Sequence, residues 1–373
     1  MMRFSIYLKV QYYLFILVIF SIGLVSCTRD DFPKIQNFDA ITSYPLKSRK
    51  VNYERIFKPH DISYIDGFLV IAENRRNSPE YPLIHILEKG TLNYLFSKGK
   101  SGFGPLEIAT ATGIEQGFLE NTFHVYCSMN KKFVTFSLSD SVQLGISEFK
   151  QPDELFGMYM MYHATDSTVL GIMADDPNRL VEYSSVTGKR IQGYGNWEKI
   201  PDLDHLIDYQ DPDINYQMGE INKGRLRANR NLGLFVKALG FRDRIEIFHY
   251  PSKSFRIIDG PRKEVHPFKI ERSKGRSAVI FDLEYPFGYA DVKIGDKYIY
   301  ALYSNLTTSQ MMNSDQIAKI IYVFNHEGKL VCRFDLDRSV RSIAIDEEQK
   351  HLYGVTTDED PGIAVFSLPQ ELF

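Results

Sequence analysis

Apolar and polar residues alternate in short runs along most of the chain, and the pattern is cleanest near the C-terminus. Residues 320–324 are apolar throughout, a polar turn follows at His326-Glu327-Gly328-Lys329, and then Cys332, Phe334 and Leu336 alternate with Arg333 and Asp335. A period of two on both sides of a polar turn predicts a hairpin. A small-residue strand over 341–345, a charged turn at 346–350 and strands over 352–356 and 363–368 follow.

The same unit recurs upstream. Strands are predicted over 61–65, 68–73, 82–88 and 92–97, with Asp66-Gly67 and Lys89-Gly90 as turns. A second unit begins at Ala109 and continues over 122–127, 133–138 and 142–147; a third starts near Met158 and continues over 168–173, 180–184 and 190–194. A fourth occupies 224–228, 232–238, 244–250 and 254–258, and a fifth runs from 287–294 through 298–304 into the 320–336 hairpin. The sixth, 339–368, has only three strands. Repeats spaced by roughly 50 to 65 residues, each of four strands, predict an all-β chain folded as a six-bladed β-propeller. A pair of β-sandwiches would not produce six repeats of one size. A ring cannot leave its last blade one strand short without exposing an edge. A strand within 39–57 is therefore expected to complete the sixth blade and close the ring. An acidic connection spans 201–219, and no element is predicted between 259 and 286.

Composition adds a location. The chain is 44% hydrophobic and 13% aromatic, with Tyr and Phe far outnumbering the single Trp197, which favours strands. A net charge of -3 lacks the basic excess of a nucleic-acid binder, so no nucleic-acid partner is expected. Arg3 and Lys9 precede an apolar run from Tyr12 to Val25, roughly 14 residues, which is short for a membrane span and fits a signal-peptide core. The run ends in Leu24-Val25-Ser26-Cys27, which resembles the bacterial lipobox, with Cys27 as the lipidated thiol. The expected organisation is a signal peptide over 1–26, a lipid-anchored tether over 27–38 and a propeller over 39–373. The lipid on Cys27 makes the membrane a partner. Asp30 and Asp31, just after Cys27, resemble the surface-export signal of Bacteroidetes lipoproteins, so an outer-membrane lipoprotein is expected, the cell surface ahead of the periplasmic face. Cys127 and Cys332 fall on apolar strand faces of separate blades, too far apart for a disulfide, and are read as buried free thiols.

Gly102-Phe103-Gly104-Pro105 with Glu107, the strand Tyr300-Ala301-Leu302-Tyr303-Ser304, and Ile321-Tyr322-Val323-Phe324 with Gly328 and Leu336-Asp337 resemble the TolB-like six-bladed propeller lipoproteins of Bacteroidetes. The resemblance implies the fold and an envelope location, and carries no activity with it. Two loop positions depart from the pattern: Leu106 stands where related propellers often place a second Gly, and Asn305 where a Gly is expected after Ser304. Gly102 and Gly104 are read as hinges that need positive φ.

No catalytic set, cofactor loop or metal motif is recognisable in order; no cofactor is expected, no catalytic residue is assigned, and metal binding and oligomeric state are left open. A propeller can still gather a site from several blades at its central channel. His60 with Asp61, and His163, lie near predicted inner strands and are the candidates there. Arg225 and Arg227, in a basic stretch that continues to Arg244, suit recognition of an anion. Tyr81, Trp197 and Tyr209 are read as exposed aromatics able to stack on a sugar. The expected function is an envelope module that binds a protein or glycan ligand. The alternative is an envelope hydrolase or lyase working through the channel. Several carboxylates and His or Asn converging within metal-ligand distance would support the enzyme, whereas a channel plugged by apolar or mutually paired side chains would count against it.

Overall fold

The computed structural model describes residues 34–74, 81–198, 211–273 and 276–373. Cys27, the apolar leader and Tyr209 lie outside the described residues. The chain enters the fold through three short strands, β1 (Lys34–Ile35), β2 (Ser43–Leu46) and β3 (Ser48–Val51). Blade 1 is β4 (Pro59–Ile65), β5 (Phe68–Glu73), β6 (Ile84–Glu88) and β7 (Tyr94–Lys98), paired antiparallel in that order. Blade 2 is β8 (Gly113–Gln116), β9 (Thr122–Cys127), β10 (Lys132–Ser137) and β11 (Ser147–Lys150); blade 3 is β12 (Met158–His163), β13 (Thr168–Met173), β14 (Asn178–Ser184) and β15 (Arg190–Asn196).

Helix α1 (Pro212–Ile221) precedes blade 4, which is β16 (Gly224–Asn229), β17 (Leu234–Leu239), β18 (Arg244–His249) and β19 (Ser254–Asp259). A separate hairpin follows, β20 (Phe268–Ser273) with β21 (Arg276–Phe281). Blade 5 is β22 (Tyr289–Ile294), β23 (Tyr298–Tyr303) and, after the short helix α2 (Thr308–Asn313), β24 (Ala318–Asn325) and the first half of β25 (Leu330–Asp346). The second half of β25 opens blade 6, which continues with β26 (His351–Thr356) and β27 (Ile363–Ser367).

Each seam between consecutive blades is an apolar layer, and six such layers run round the ring. Blades 1 and 2 meet through residues such as Ile84, Ile86, Phe123 and Val125. Equivalent layers join blades 2 and 3, 3 and 4, 4 and 5, and 5 and 6. The last puts Ala344, Tyr353 and Val355 of blade 6 against Ile62, Leu69 and Ile71 of blade 1. Each fully buried Val, Leu, Ile or Phe in these layers contributes about 1.5 to 3 kcal/mol, so the seams hold the ring.

The N-terminal strands form a strap over the outer edges of three successive blades. β1 adds parallel to β19 of blade 4, β2 adds parallel to residues 333–336 of blade 5, and β3 pairs antiparallel with β27, Val51 opposite Ile363. Residues 34–38, read above as tether, thus run along the propeller body. Phe38 packs edge-on to Tyr322 at 4.9 Å, and the Gln36 side chain bonds Gly328 O and Leu330 N. The fourth strand of blade 6 is β3, within the window expected from the missing edge.

Two elements exceed the sequence expectation. α1 opens on Asp211, whose side chain accepts from Asp213 N, followed by Pro212 at the first helical turn, a strong start signal. Its Ile214, Met218 and Ile221 recur at helical spacing and pack with Trp197 against Phe268, Ile270, Val279 and Phe281 of the added hairpin. Trp197 is therefore buried, contrary to the expectation of an exposed sugar platform, because this cluster covers it. Cys127 and Cys332 are buried free thiols on blades 2 and 5.

The loop before β8 also corrects an expectation. Gly102 and Gly104 do not take positive φ; the Glu107 carboxylate lies 2.0 Å from where a Cβ on Gly102 would sit and 2.9 Å from one on Gly104, so a larger residue would push it aside. Glu107 accepts from Gly104 N at 2.9 Å and pairs with Lys100 at 2.8 Å. The left-handed residue is Leu106 at φ 59°, and Asn305 takes φ 57°. Both departures from the family pattern therefore sit where the backbone favours glycine.

Candidate functional site at the mouth of the central channel

Successive strands of a blade are antiparallel, so every first turn, between the inner strand and the next, lies at one end of the ring. The second turns and the connections between blades lie at the other, with α1, α2 and the added hairpin. The inner strands β4, β8, β12, β16, β22 and the second half of β25 surround the channel.

Polar side chains of these strands close the channel. Arg227 of blade 4 donates to Asp61 of blade 1 at 2.8 Å and to Asp291 of blade 5 at 2.9 and 3.1 Å, and reaches Tyr162 Oη of blade 3 at 3.3 Å. Lys293 Nζ donates to Asp61 at 3.1 Å and to Ile62 O at 2.7 Å. Ser342 Oγ of blade 6 bonds Asp61 at 2.6 Å and Asp291 at 2.7 Å. Two carboxylates and two cations thus neutralise one another. Burial alone pushes the Asp61 carboxyl up, but Arg227 and Lys293 hold it well below the usual carboxylate range. Blade 2 adds Glu115, which accepts from His163 Nδ1 at 2.7 Å and His163 N at 3.1 Å.

Above this floor, at the first-turn end, is a basin of about 430 Å³ lined from all six blades. Its walls are polar: Asp66, Gln116, Asn229, Arg230, Asn231, Asp296 and Asp346 among them. Asp66 is engaged with Gln116 Nε2 at 2.7 Å and Asn121 N at 3.0 Å. Arg230 lies 4.1 Å from the centre of the Phe118 ring and donates through Nη2 to Gly117 O at 2.7 Å.

The structure gathers three of the sequence candidates into this region and separates the others. Asp61 and Arg227 are direct partners, and His163 stands one strand away on Glu115. His60 is bound through Nε2 to Ala111 O at 3.0 Å, with its basicity lowered by burial. Arg225 is exposed and makes no ion pair among the described residues. Of the rest of the basic stretch, Arg242 and Arg244 pair with Glu198, and Arg244 also with Asp259 at 2.6 Å. Burial raises Glu198, but these two guanidinium groups bring it down to about 2. No group of three or more His, Cys, Asp or Glu is placed to hold a metal ion among the described residues.

Sequence reasoning missed Asp291, Lys293, Ser342 and Glu115. Their signal was positional: like Asp61 and Arg227, each is a polar residue on an innermost strand, a few residues before a first turn.

The model of the family described as TolB-like 6-blade propeller-like matches residues 194–348. No curated protein matches the chain. Among solved structures, a member of the DUF4221 family from Bacteroides vulgatus is 10% identical, covering 87% of this chain and 97% of its own, with a TM-score of 0.54. A Bacteroides fragilis protein described as exported is also 10% identical, covering 89% of this chain and 99% of its own, with a TM-score of 0.52. At that identity the likeness concerns the fold. Over residues 194–348 the chain is thus similar in sequence to the TolB-like six-bladed propellers, and its architecture as a whole is a β-propeller.

Proposed function

We propose that this protein is a non-catalytic binding module of the cell envelope, anchored by a lipid on Cys27, that takes its ligand in the basin at the first-turn end of the channel. The observation that carries this reading is the closed floor: its carboxylates, Asp61 and Asp291, are each held by a cation and a hydroxyl from other blades. A general base must be free to reach the proton it removes, and Asp61, held well below its usual range, has little affinity for one. The basin above lies within the size range of small-ligand sites and supplies polar groups from several blades. The lipobox-like Cys27, and the description of a structural neighbour as exported, support the envelope location.

The test pairs binding with turnover. Full-length protein is titrated calorimetrically with envelope oligosaccharides and short peptides, and the same compounds and chromogenic lactones are followed for hydrolysis. Binding that Arg230→Met weakens, without turnover, is the expected result. Turnover abolished by Asp61→Asn would establish the hydrolase instead. Radiolabelled palmitate incorporated by the native chain and not by Cys27→Ala checks the anchor.

A further inference from the structure

Four of the six inner strands carry the same irregularity at the second-turn end of the channel. In β4, β12, β22 and the second half of β25, one residue is extra to the pairing with the next strand: His60, Tyr159, Ala290 and Arg341. Such bulges re-aim a side chain. His60, Ala290 and Arg341 each keep accessible surface between two buried neighbours. Arg341 directly precedes Ser342, whose hydroxyl reaches both carboxylates of the floor. It is half-buried, yet no hydrogen bond or ion pair holds it among the described residues, and none of its nitrogens is sealed from solvent. Burial lowers its proton affinity, and no carboxylate offsets that.

Blade 4 brings a second cation to the same end. Arg225 shares a face of β16 with Arg227 and stands one pleat repeat, about 7 Å, further from the basin. Since Arg227 crosses the channel to Asp61 of blade 1, Arg225 faces blade 1 beneath that bridge. The charge of Arg225, with that of Arg227, depresses the basicity of His60 there. Two acids at this end are engaged elsewhere: Asp358 with Lys50 at 2.9 Å and Arg338 at 3.2 Å, and Glu220 with Lys223 at 3.1 Å. Arg225 and Arg341 are thus left without a counter-charge, beneath a floor that is itself neutral. A channel spanned at its floor by one arginine and one aspartate is narrow enough for arginines of blades 4 and 6 to meet at its axis.

A guanidinium presents paired donors to an oxyanion, and such charge-assisted bonds are about twice as strong as neutral ones. We infer that the second-turn end of the channel, opposite the basin, is a site for a small tetrahedral oxyanion, a phosphate or sulfate group held between Arg225 and Arg341. Such a group has oxygens enough for two forks arriving from different blades, which a carboxylate lacks. The site is independent of the basin.

Inorganic phosphate, sulfate and acetate are the probes, titrated calorimetrically into the full-length chain in detergent at low ionic strength. Phosphate or sulfate is expected to bind, the tighter of the two naming the natural group, and acetate about tenfold more weakly. Arg225→Met and Arg341→Met should each weaken binding by about tenfold or more, and the two lysine variants, which keep the charge without the fork, by less. Lys223→Met, which removes a paired charge from the same end, should change it by no more than about twofold. Unchanged thermal midpoints should show that every variant folds, because neither arginine makes a bond that the fold would miss. Acetate binding as tight as phosphate and sulfate, binding that survives both methionine variants, a loss as large in Lys223→Met, or no binding of phosphate or sulfate each overturns the site and leaves the basin standing.

Discussion

The floor of the channel and its mouth are built from the same side chains in opposite situations. At the floor, Asp61, Asp291, Arg227 and Lys293 come from three blades and satisfy one another, so the charge is spent inside the protein. At the mouth, Asp346 is buried and Arg230 half-buried, and each keeps one polar atom without a hydrogen-bond partner. Residue type alone therefore does not decide how a charge in this ring is satisfied. What separates the two regions is whether another blade places a donor or acceptor within hydrogen-bond reach.

The largest expected effect lies at the floor. Arg227→Met leaves Asp61 and Asp291 sharing one ammonium in a buried site, and removal of one partner of a buried ion pair costs about 3 to 5 kcal/mol. Urea unfolding checks this, and a loss near zero would break the contrast by making the floor no more structural than the mouth.

Acid should single out the floor next. The folded Asp61 carboxyl is held below its unfolded value of about 3.9, so its contribution is present above that pH and is lost as pH falls below it. The depressed Glu198 adds loss in the same acidic window, between its ordinary value and about 2. The urea midpoint should therefore drop steeply on acidification below about pH 4, and less steeply in Asp61→Asn; parallel curves would sink the assignment.

At the mouth, Asp346→Asn and Arg230→Met should each shift stability by no more than about 1 kcal/mol, because neither variant strips a strong partner from a buried charge. A loss as large as that of Arg227→Met would make them floor residues in all but place. The smallest effect is a calibration away from the channel: Leu106→Gly relieves a left-handed leucine and should stabilise the protein by about 0.5 to 1 kcal/mol in thermal unfolding.

The six repeats were legible because short apolar or alternating runs recur between polar turns, as in Phe68–Glu73 and Ile84–Glu88 with Asp66-Gly67 and Lys89-Gly90 beside them. The strap was legible only in part. The missing edge of blade 6 demanded β3, but β1 and β2 add parallel to blades that already had four strands, and stretches of two and four residues leave no period to read. α1 announced itself through Asp211-Pro212, and the acidity of its surroundings masked the signal. The site was half legible: Asp61 and Arg227 could be nominated, but their partnership spans 166 positions and is created by the ring. Asp346 was legible only as a turn residue, since its place 3.9 Å from Lys89 of blade 1 is created by the ring.

The strap also sets the order in which this molecule can be finished. Lys50, within β3, bonds Asp360 O, 310 positions away, and β3 has no sheet to join until β27 exists. Pairings this distant in sequence form slowly, because a long loop must close before any contact rewards it. Five blades can assemble as the chain is delivered, but the sixth waits for β27. The ring locks only when β3 and β27 are both in hand, so a product cut short before β27 leaves β3 unclaimed and exposed, marked as incomplete for any protease that meets it.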